Sequence, residues 1–186
     1  MNKTLFIITF LLCSFNHVLA ENPTKSIIAI DYHSGEISKT YGSSSTPDDH
    51  DVSKFGIKIG AVADLKRIFI SYRYETITNL LRDTKGYSFS IEYEGMAAEN
   101  GSGLFAGFIA GYGNYDYIGE DSLTRTESGL FYGMDAGIAL VILDSFGIDF
   151  GIRYTLPVES ENDDIPSQAY KINDTTTTYI SLNYLY

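Results

Sequence analysis

The chain alternates between apolar and polar positions with a period of two residues, in segments separated by polar or glycine-containing stretches. This alternation is typical of β-strands that face two different environments, and no stretch after residue 20 shows the period of an amphipathic helix. The pattern predicts eight strands, at residues 26–32, 54–63, 67–76, 87–95, 104–113, 129–142, 146–155 and 175–186. Most of these segments have about the 9–11 residues that a tilted strand needs to cross a membrane.

The connections between the predicted strands alternate in length. Short turns are expected at residues 64–66 and 143–145, and a flexible turn that contains Asn100-Gly101 follows the fourth strand. The connections at residues 33–53 and 155–175 are long and polar. Short turns at one end and long loops at the other are typical of membrane barrels. The sequence therefore predicts an all-β fold, an eight-stranded antiparallel up-and-down transmembrane β-barrel.

The two faces of the predicted strands differ in side-chain size. The less apolar face is rich in small residues such as Gly56, Gly107 and Gly151, which suit the crowded interior of a narrow barrel. The apolar face carries aromatic residues near both of its ends, as expected at two membrane–water interfaces. The opposite arrangement, a soluble barrel that binds an apolar ligand, is disfavoured because it would expose these aromatic side chains to water.

Nearly all charged residues within the predicted strands lie on the small-residue face, and therefore inside the barrel. An isolated charge in this interior is costly, so the charges are expected to pair. The sequence predicts an interior charge network formed by Lys58, Arg73, Glu92, Asp135, Asp149 and Arg153, without fixing the pairs. The alternative is that some strand charges, Glu75 and Glu94 especially, lie at the barrel mouths and are hydrated.

Both ends of the chain have recognisable features. Residues 1–20 combine a basic start, a short apolar run and the small residue Ala20, which predicts a cleaved signal peptide. Residues 21–186 then form one barrel domain without cysteine, because Cys13 is the only cysteine. The eighth strand runs to Tyr186. We expect it to pair with the first strand, since a closed barrel leaves no unsatisfied strand edge in lipid.

The glycine- and tyrosine-rich strands, such as LFAGFIAGYGNYDY and FGIDFGIRYTL, and the terminal strand make the chain similar to a known family. It resembles the small eight-stranded outer-membrane proteins of the OmpA/OmpX type over essentially all of residues 21–186. The resemblance implies a monomer in the outer membrane of a Gram-negative bacterium, in contact with outer-membrane lipids and lipopolysaccharide. It also implies a C-terminal signal for the outer-membrane assembly machinery, formed by Leu182, Tyr184 and Tyr186.

The long predicted loops are acidic, which favours a structural or surface-interaction role for the protein. The candidates for contact with an unidentified surface ligand or with divalent cations are Asp48, Asp49, Asp51, Glu159, Glu161, Asp163 and Asp164. The DDHD run at residues 48–51 lacks the spaced ligands and glycine of a calcium loop, so no specific metal site is predicted. A net charge of -11 argues against a nucleic-acid partner.

Two other functions, a small pore and an enzyme that acts on lipids, would each need a specific feature of the barrel. A small pore would need the interior charges to act as a gate, because eight strands enclose only enough space for their own side chains. An enzyme that acts on lipids would need a histidine beside a serine at the barrel mouth. His33 and His50 fall in the predicted first loop or at its edge, and no later strand contains a histidine. The sequence therefore predicts no catalytic residue and no cofactor.

Overall fold

The computed structural model describes residues 25–41, 48–78, 84–97, 102–118, 124–157 and 170–186. Eight strands follow one another in these ranges: β1 Lys25–Tyr41, β2 Asp48–Ala63, β3 Lys66–Thr78, β4 Thr84–Met96, β5 Gly103–Ile118, β6 Thr124–Leu143, β7 Phe146–Pro157 and β8 Tyr170–Leu185. Each strand pairs antiparallel with its neighbours in the sequence, and β8 pairs with β1. The predicted eight-stranded up-and-down barrel is confirmed. Among the described residues, no helix is long and apolar enough to cross a membrane.

The seam between β1 and β8 closes the barrel along almost the whole of both strands. The register runs from Ile27 opposite Leu185 to Tyr41 opposite Tyr170, with one shift after Ser38. At the end of this ladder, the backbones of Ser26 and Tyr186 exchange hydrogen bonds of 2.9 and 3.0 Å. The backbone groups of both strands are thus paired along the seam, as a wall in contact with lipid requires.

Two tight turns define one end of the barrel, which we call the turn end. Asp64-Leu65 connects β2 to β3 and Asp144-Ser145 connects β6 to β7, so the predicted short turns are confirmed. Asp64 has a φ of 47°, a left-handed conformation that its short polar side chain tolerates. We call the opposite end the loop end. Its connections, the predicted Asn100-Gly101 turn and residues 1–24 lie outside the described residues.

The first two strands extend further toward the loop end than the sequence predicts. A loop is expected over residues 33–53, whereas β1 continues to Tyr41 and β2 begins at Asp48. The predicted ends of these two strands are wrong because only the outward side chains become polar there, whereas the inward side chains still include apolar residues. On the inside, Ile37, Val52 and Ile77 pack against one another and are at most 2 % exposed. This inner apolar layer stabilises the strands above the apolar part of the outer surface.

The outer surface carries a continuous apolar band. Tyr32, Phe55, Tyr74 and Tyr87 lie opposite one another on successive strands, form the loop-end border of the band and are 39–54 % exposed. Aliphatic side chains fill the middle of the band, among them Ile28, Ile30, Ile57, Ile59, Ile70, Ile138, Ile152 and Leu182. At the turn end, the rings of Phe146, Tyr184 and Tyr186 form a cluster with centroids 5.1 and 6.0 Å apart. We call the border formed by Tyr32, Phe55, Tyr74 and Tyr87 the aromatic ring.

The register of β5 could be read either way from the sequence, because large apolar residues occupy both faces. Leu104, Phe108 and Tyr112 are predicted to face outward, and they are 64, 49 and 43 % exposed. Phe105 and Ile109 point inward and are 3 and 2 % exposed. The predicted register is therefore confirmed.

Glycine on one strand makes room for large interior side chains on the next. A Cβ atom at Gly151 would lie 2.6 Å from the ring of Tyr179. Tyr179 is 5 % exposed and stacks on His33 with a centroid distance of 4.8 Å. The small-residue face thus allows a barrel of eight strands to enclose aromatic and charged side chains.

Candidate functional site

Glu92 on β4 is the centre of a charge network inside the barrel. Its Oε1 lies 2.6 Å from Nη1 of Arg73 on β3, and its Oε2 lies 2.7 Å from Nη2 of Arg153 on β7. Ser71 and Ser90 donate hydrogen bonds of 2.7 and 3.1 Å to Oε1. Glu92 is 0 % exposed, so protein groups alone compensate its charge.

The two arginines extend the network to opposite walls of the barrel. Nη2 of Arg73 lies 2.6 Å from Oδ2 of Asp31 on β1, and Nη2 of Arg153 lies 2.9 Å from Oδ2 of Asp135 on β6. The result is one ion-pair chain, in the order Asp31, Arg73, Glu92, Arg153 and Asp135. This chain connects both sides of the interior through alternating charges.

Two further groups of ion pairs lie on either side of the chain. Toward the turn end, Arg67 on β3 contacts Glu94 at 2.5 Å and Asp149 at 3.0 Å. Toward the loop end, Nζ of Lys54 lies 3.0 Å from Oε2 of Glu75, which also accepts a hydrogen bond from Tyr115. The alternative that Glu75 and Glu94 are hydrated at the mouths is wrong, since they are 1 and 0 % exposed. The longer strands and their inner apolar side chains enclose both groups.

The structure places all six residues of the predicted network inside the barrel, each at most 4 % exposed. Arg73, Glu92, Asp135 and Arg153 belong to the ion-pair chain, whereas Asp149 pairs with Arg67. Lys58 differs from the others, because its Nζ makes no hydrogen bond to a described residue. This ammonium group lies 4.6 Å from the centroid of the Phe69 ring.

Three buried residues of the network were missed from the sequence: Asp31, His33 and Arg67. Asp31 and His33 alternate with Ile28, Ile30 and Tyr32, so the period of two already indicated an inward position. Their place at the end of a short predicted strand concealed this signal. Arg67 directly follows a turn, a position at which a charge is usually hydrated.

His33 lies inside β1 and not in a loop, beside an acid and a hydroxyl. Nε of Arg73 donates to Nε2 of His33 at 3.2 Å, and Oδ2 of Asp31 lies 3.3 Å from the same nitrogen. Nδ1 of the ring lies 3.4 Å from Oγ1 of Thr177. Thr177 is 2 % exposed, so this Asp–His–Thr arrangement is not open to a substrate.

A second, smaller polar cluster lies inside the loop end, beyond the inner apolar layer. Lys39 on β1 faces Asp48 on β2. Burial lowers the pKa of Lys39 to about 8, although the carboxylate of Asp48 acts in the opposite direction. Burial and the charge of Lys39 also lower the pKa of His50, whose Nε2 lies 3.3 Å from Oδ2 of Asp48. His50 is thus neutral at pH 7.

Acidic residues form a patch on the outer surface at the loop end, which we call the acidic wall. Glu36 on β1 lies directly opposite Asp51 on β2. One step further from the aromatic ring, Ser38 lies between Asp49 on β2 and Asp174 on β8. The outward positions between this patch and the aromatic ring are the uncharged residues Ser34, Ser53, Thr176 and Thr178. The acidic wall is therefore a concentrated negative surface directly above the apolar band.

The structure changes the location of the predicted loop candidates. Asp48, Asp49 and Asp51 are exposed, as expected, but they belong to β2 and not to a loop. The expectation of a loop there is wrong because the backbone of this segment pairs with β1, from Asp48 opposite Lys39 to Asp51 opposite Glu36. The candidates Glu159, Glu161, Asp163 and Asp164 lie outside the described residues.

The arrangement of the outer surface defines the class of protein. An apolar band closed around a barrel and bordered by aromatic residues is incompatible with water and matches the hydrocarbon region of a bilayer. Charged side chains instead lie inside the barrel or beyond the apolar band. The protein is therefore an eight-stranded β-barrel that spans a membrane.

Comparison with solved structures finds the same fold in small outer-membrane barrels. Neisserial surface protein A has a TM-score of 0.63 at 10% identity, covering 86% of this chain and 96% of its own. Outer membrane protein H of Pseudomonas aeruginosa has a TM-score of 0.56 at 18% identity, with coverages of 88% and 100%. Ail of Yersinia pestis, in complex with the heparin analogue sucrose octasulfate, has a TM-score of 0.52 at 16% identity, with coverages of 87% and 98%.

At these identities the likeness shows the fold, and at that level it confirms the predicted resemblance to small outer-membrane barrels. No protein-family model matches the chain, and no curated protein matches it.

Proposed function

We propose that the protein is an integral outer-membrane barrel of a Gram-negative bacterium with a structural role at the cell surface. The turn end faces the periplasm and the loop end faces the exterior. The observation that supports this role is the position of the acidic wall directly above the aromatic ring. At that height an outward side chain meets lipid head groups, which in the outer leaflet are the phosphate-rich head groups of lipopolysaccharide.

The acidic wall is suited to divalent cations. Glu36 and Asp51 are directly opposite across an antiparallel pair, where two like charges repel each other. A calcium or magnesium ion between the two carboxylates removes this repulsion, because both ions prefer oxygen ligands. Lipopolysaccharide phosphates supply further oxygen ligands. The proposed role is therefore to link the barrel to lipopolysaccharide through bound cations.

A directly bound polyanion is a less suitable ligand. Ail was crystallised with sucrose octasulfate, which carries many negative charges. The acidic wall of this chain repels such a molecule unless cations lie between them. The negative charge of the acidic wall therefore favours contact through a cation over direct binding of a polyanion such as the sucrose octasulfate in the Ail structure.

The proposed cation link predicts that calcium stabilises the barrel more strongly when lipopolysaccharide is present. For sites of about millimolar or submillimolar affinity, ~10 mM calcium adds about 1–3 kcal/mol to the free energy of unfolding. The double variant Glu36→Gln/Asp51→Asn is expected to lose most of this gain. Urea unfolding in lipopolysaccharide-containing vesicles, with calcium or with a chelator, measures the difference.

The matched control is Asp144→Asn, which removes an exposed carboxylate at the turn end. It should keep the full calcium effect, and vesicles of phosphatidylcholine should show a smaller one. An equal calcium effect in the wild type and in the double variant would refute the role of the acidic wall.

The proposed location has its own test. A folded membrane barrel resists detergent until it is heated, so the outer-membrane fraction should show different gel mobilities before and after boiling. Recovery of the protein in the soluble periplasm without this shift would contradict insertion into the membrane.

The remaining proposals concern export and assembly. Residues 1–20 act as the cleaved signal peptide, and the mature barrel is a monomer. Leu182, Tyr184 and Tyr186 act as the signal for the assembly machinery. Their outward position on β8 at the turn end, with 49, 44 and 61 % exposure, makes them accessible from the periplasm during assembly.

The alternative function, a small pore, receives less support from the interior. The ion-pair chain from Asp31 to Asp135 crosses the described lumen, and an ion could pass only after these pairs separate. Breaking buried ion pairs is costly. We therefore place conductance second to the structural role.

A further inference from the structure

The charged groups at the level of the ion-pair chain do not balance. The described carboxylates there are Asp31, Glu92, Glu94, Asp135 and Asp149, whereas the cations are Lys58, Arg67, Arg73 and Arg153. The ion pair between Lys54 and Glu75 is balanced by itself. Lys39 lies beyond the inner apolar layer and faces Asp48. One buried negative charge is thus left without a counter-charge, which is strongly unfavourable in an interior.

His33 does not supply the missing positive charge. The ring is fully buried, and its Nε2 lies 3.2 Å from Nε of Arg73. A protonated ring would place a second positive charge in direct contact with this guanidinium group and away from water, which is unfavourable on both counts. The missing charge must therefore be a proton on a carboxyl group or a bound cation.

Three carboxylates of this part of the lumen have an oxygen without a hydrogen bond to a described residue: Oε1 of Glu94, Oδ1 of Asp135 and Oδ1 of Asp31. The other oxygen of Glu94 pairs with Arg67. Of the three, Glu94 and Asp135 lie side by side. Their side chains meet above Gly107, which pairs with Glu94 on β4 and with Asp135 on β6. A Cβ at Gly107 would lie 2.6 Å from Oδ1 of Asp135 and 2.9 Å from Cγ of Glu94. The absence of a side chain at this position thus leaves the space that the two acids share.

We propose that Glu94 and Asp135 together bind one proton, which makes the numbers of positive and negative charges in this part of the lumen equal. Two carboxylates that share one site do not both ionise readily, and a carboxyl–carboxylate hydrogen bond is strong. The Glu94 carboxyl donates its O–H to Oδ1 of Asp135. Oδ2 of Asp135 remains with Arg153 and with the hydroxyl of Tyr179, which donates to it at 3.3 Å.

The pair and the titratable groups around it come from seven of the eight strands. They are Asp31 and His33 on β1, Lys58 on β2, Arg67 and Arg73 on β3, Glu92 and Glu94 on β4, Asp135 on β6, Asp149 and Arg153 on β7, and Tyr179 on β8. β5 contributes Gly107 and the apolar side chains Phe105 and Ile109. No other titratable group of the described strands is directed into this space.

A divalent metal ion fits the site less well than a proton does. Carboxylate oxygens of Glu92, Glu94 and Asp135 do lie within 4.8 Å of one another. However, Arg67 is 2.5 Å from Glu94, and Arg153 is 2.9 Å from Asp135. A divalent ion would be repelled by these guanidinium groups and would leave an excess of positive charge.

Infrared spectroscopy of the full chain folded in detergent at pH 7 tests the proposal directly. A protonated carboxyl group gives a C=O band that is separate from the carboxylate bands and shifts in heavy water. We expect this band in the wild-type protein and its loss in Glu94→Gln. The matched control is Glu75→Gln, which should retain the band. Glu75 is equally buried but accepts hydrogen bonds from Ser88 and Tyr115 and pairs with Lys54.

Urea unfolding as a function of pH provides a second readout. Above the ordinary titration range of glutamate, the folded barrel holds one proton that the unfolded chain releases. The unfolding equilibrium constant of the wild type, relative to that of Glu94→Gln, should rise about tenfold for each unit of increasing pH until the pair loses its proton. A ratio that does not depend on pH would overturn the proposal.

Two infrared results would refute the shared proton. The first is absence of the band in the wild type, and the second is its loss in Glu75→Gln but not in Glu94→Gln. If Glu94→Gln does not fold, Asp135→Asn tests the same point. Removal of Asp135 leaves equal numbers of opposite charges, so Glu94 should ionise and the band should again disappear.

Discussion

Arg153→Met is expected to lower the free energy of unfolding by about 3–5 kcal/mol, because it removes one partner of a buried ion pair. Arg153 contacts both Glu92 and Asp135, at 2.7 and 2.9 Å, and its guanidinium lies 5.2 Å from the centroid of the Tyr179 ring. Methionine keeps much of the apolar volume of the side chain. The loss therefore reports Asp135, which loses its ion-pair partner, and Glu92, which keeps Arg73 alone.

Urea unfolding of the barrel in lipid vesicles measures this loss. Circular dichroism and gel mobility are suitable signals, since the chain contains no tryptophan. Lys85→Met is the matched control, because Lys85 is an exposed cation on the outward face of β4. A change of less than about 0.5 kcal/mol is expected there.

A double-mutant cycle shows whether the loss comes from the ion pair. Glu92→Gln in the Arg153→Met background removes one of the two carboxylates that pair with Arg153. The double variant should therefore be less destabilised than the sum of the two single variants. Strict additivity, or a loss for Arg153→Met no larger than that for Lys85→Met, would show that the interior tolerates an unpaired carboxylate.

Much of this interior could be predicted because a strand fixes the side of each residue. Once Ile28, Ile30 and Tyr32 are outward, alternation places Asp31 and His33 inside. The same rule places Arg73 between Tyr72 and Tyr74, and Asp135 between Met134 and Ala136. The inward position of a charge is thus a local property of the sequence, which requires no knowledge of the partner strand.

The pairs themselves could not be predicted, because they depend on the register of every strand around the barrel. Arg73 reaches Glu92 on the neighbouring strand, whereas Arg153 reaches the same carboxylate from β7 across the interior. The burial of Glu94 was missed for a related reason. Its strand ends two residues later, but Phe105 on β5 and Met96 on β4 close the interior below it.

The extension of the strands at the loop end also could not be predicted from the sequence. Outside the aromatic ring, the outward positions become polar, so the outer surface gives no sign that the strands continue. The inner apolar layer of Ile37, Val52 and Ile77 does give that sign, but its members lie on three successive strands and meet only through the register of those strands. The acidic wall follows from this extension, since Glu36 and Asp51 can oppose each other only within paired strands.

Ile70→Lys is expected to lower the free energy of unfolding by about 2–4 kcal/mol, the cost of a cation on the lipid face near the membrane midplane. Ile70 is 57 % exposed and lies opposite Ile59 and Ile91 in the wall. On β3 it is midway between Tyr74 of the aromatic ring and Lys66 at the start of the strand. The ammonium group must therefore enter hydrocarbon or distort the surrounding lipid.

The same strand offers the control. Thr78→Lys introduces the same cation on the same face of β3, but beyond the aromatic ring, where Thr78 is exposed. Its effect should be about 0–1 kcal/mol. Urea titration of the gel-mobility shift in phospholipid vesicles measures both variants. Equal losses would mean that the outer face does not contact lipid at Ile70, whereas a loss confined to Ile70→Lys shows that the aliphatic band lies within the bilayer. The interior charges would then be enclosed by hydrocarbon, which is why they must balance among themselves.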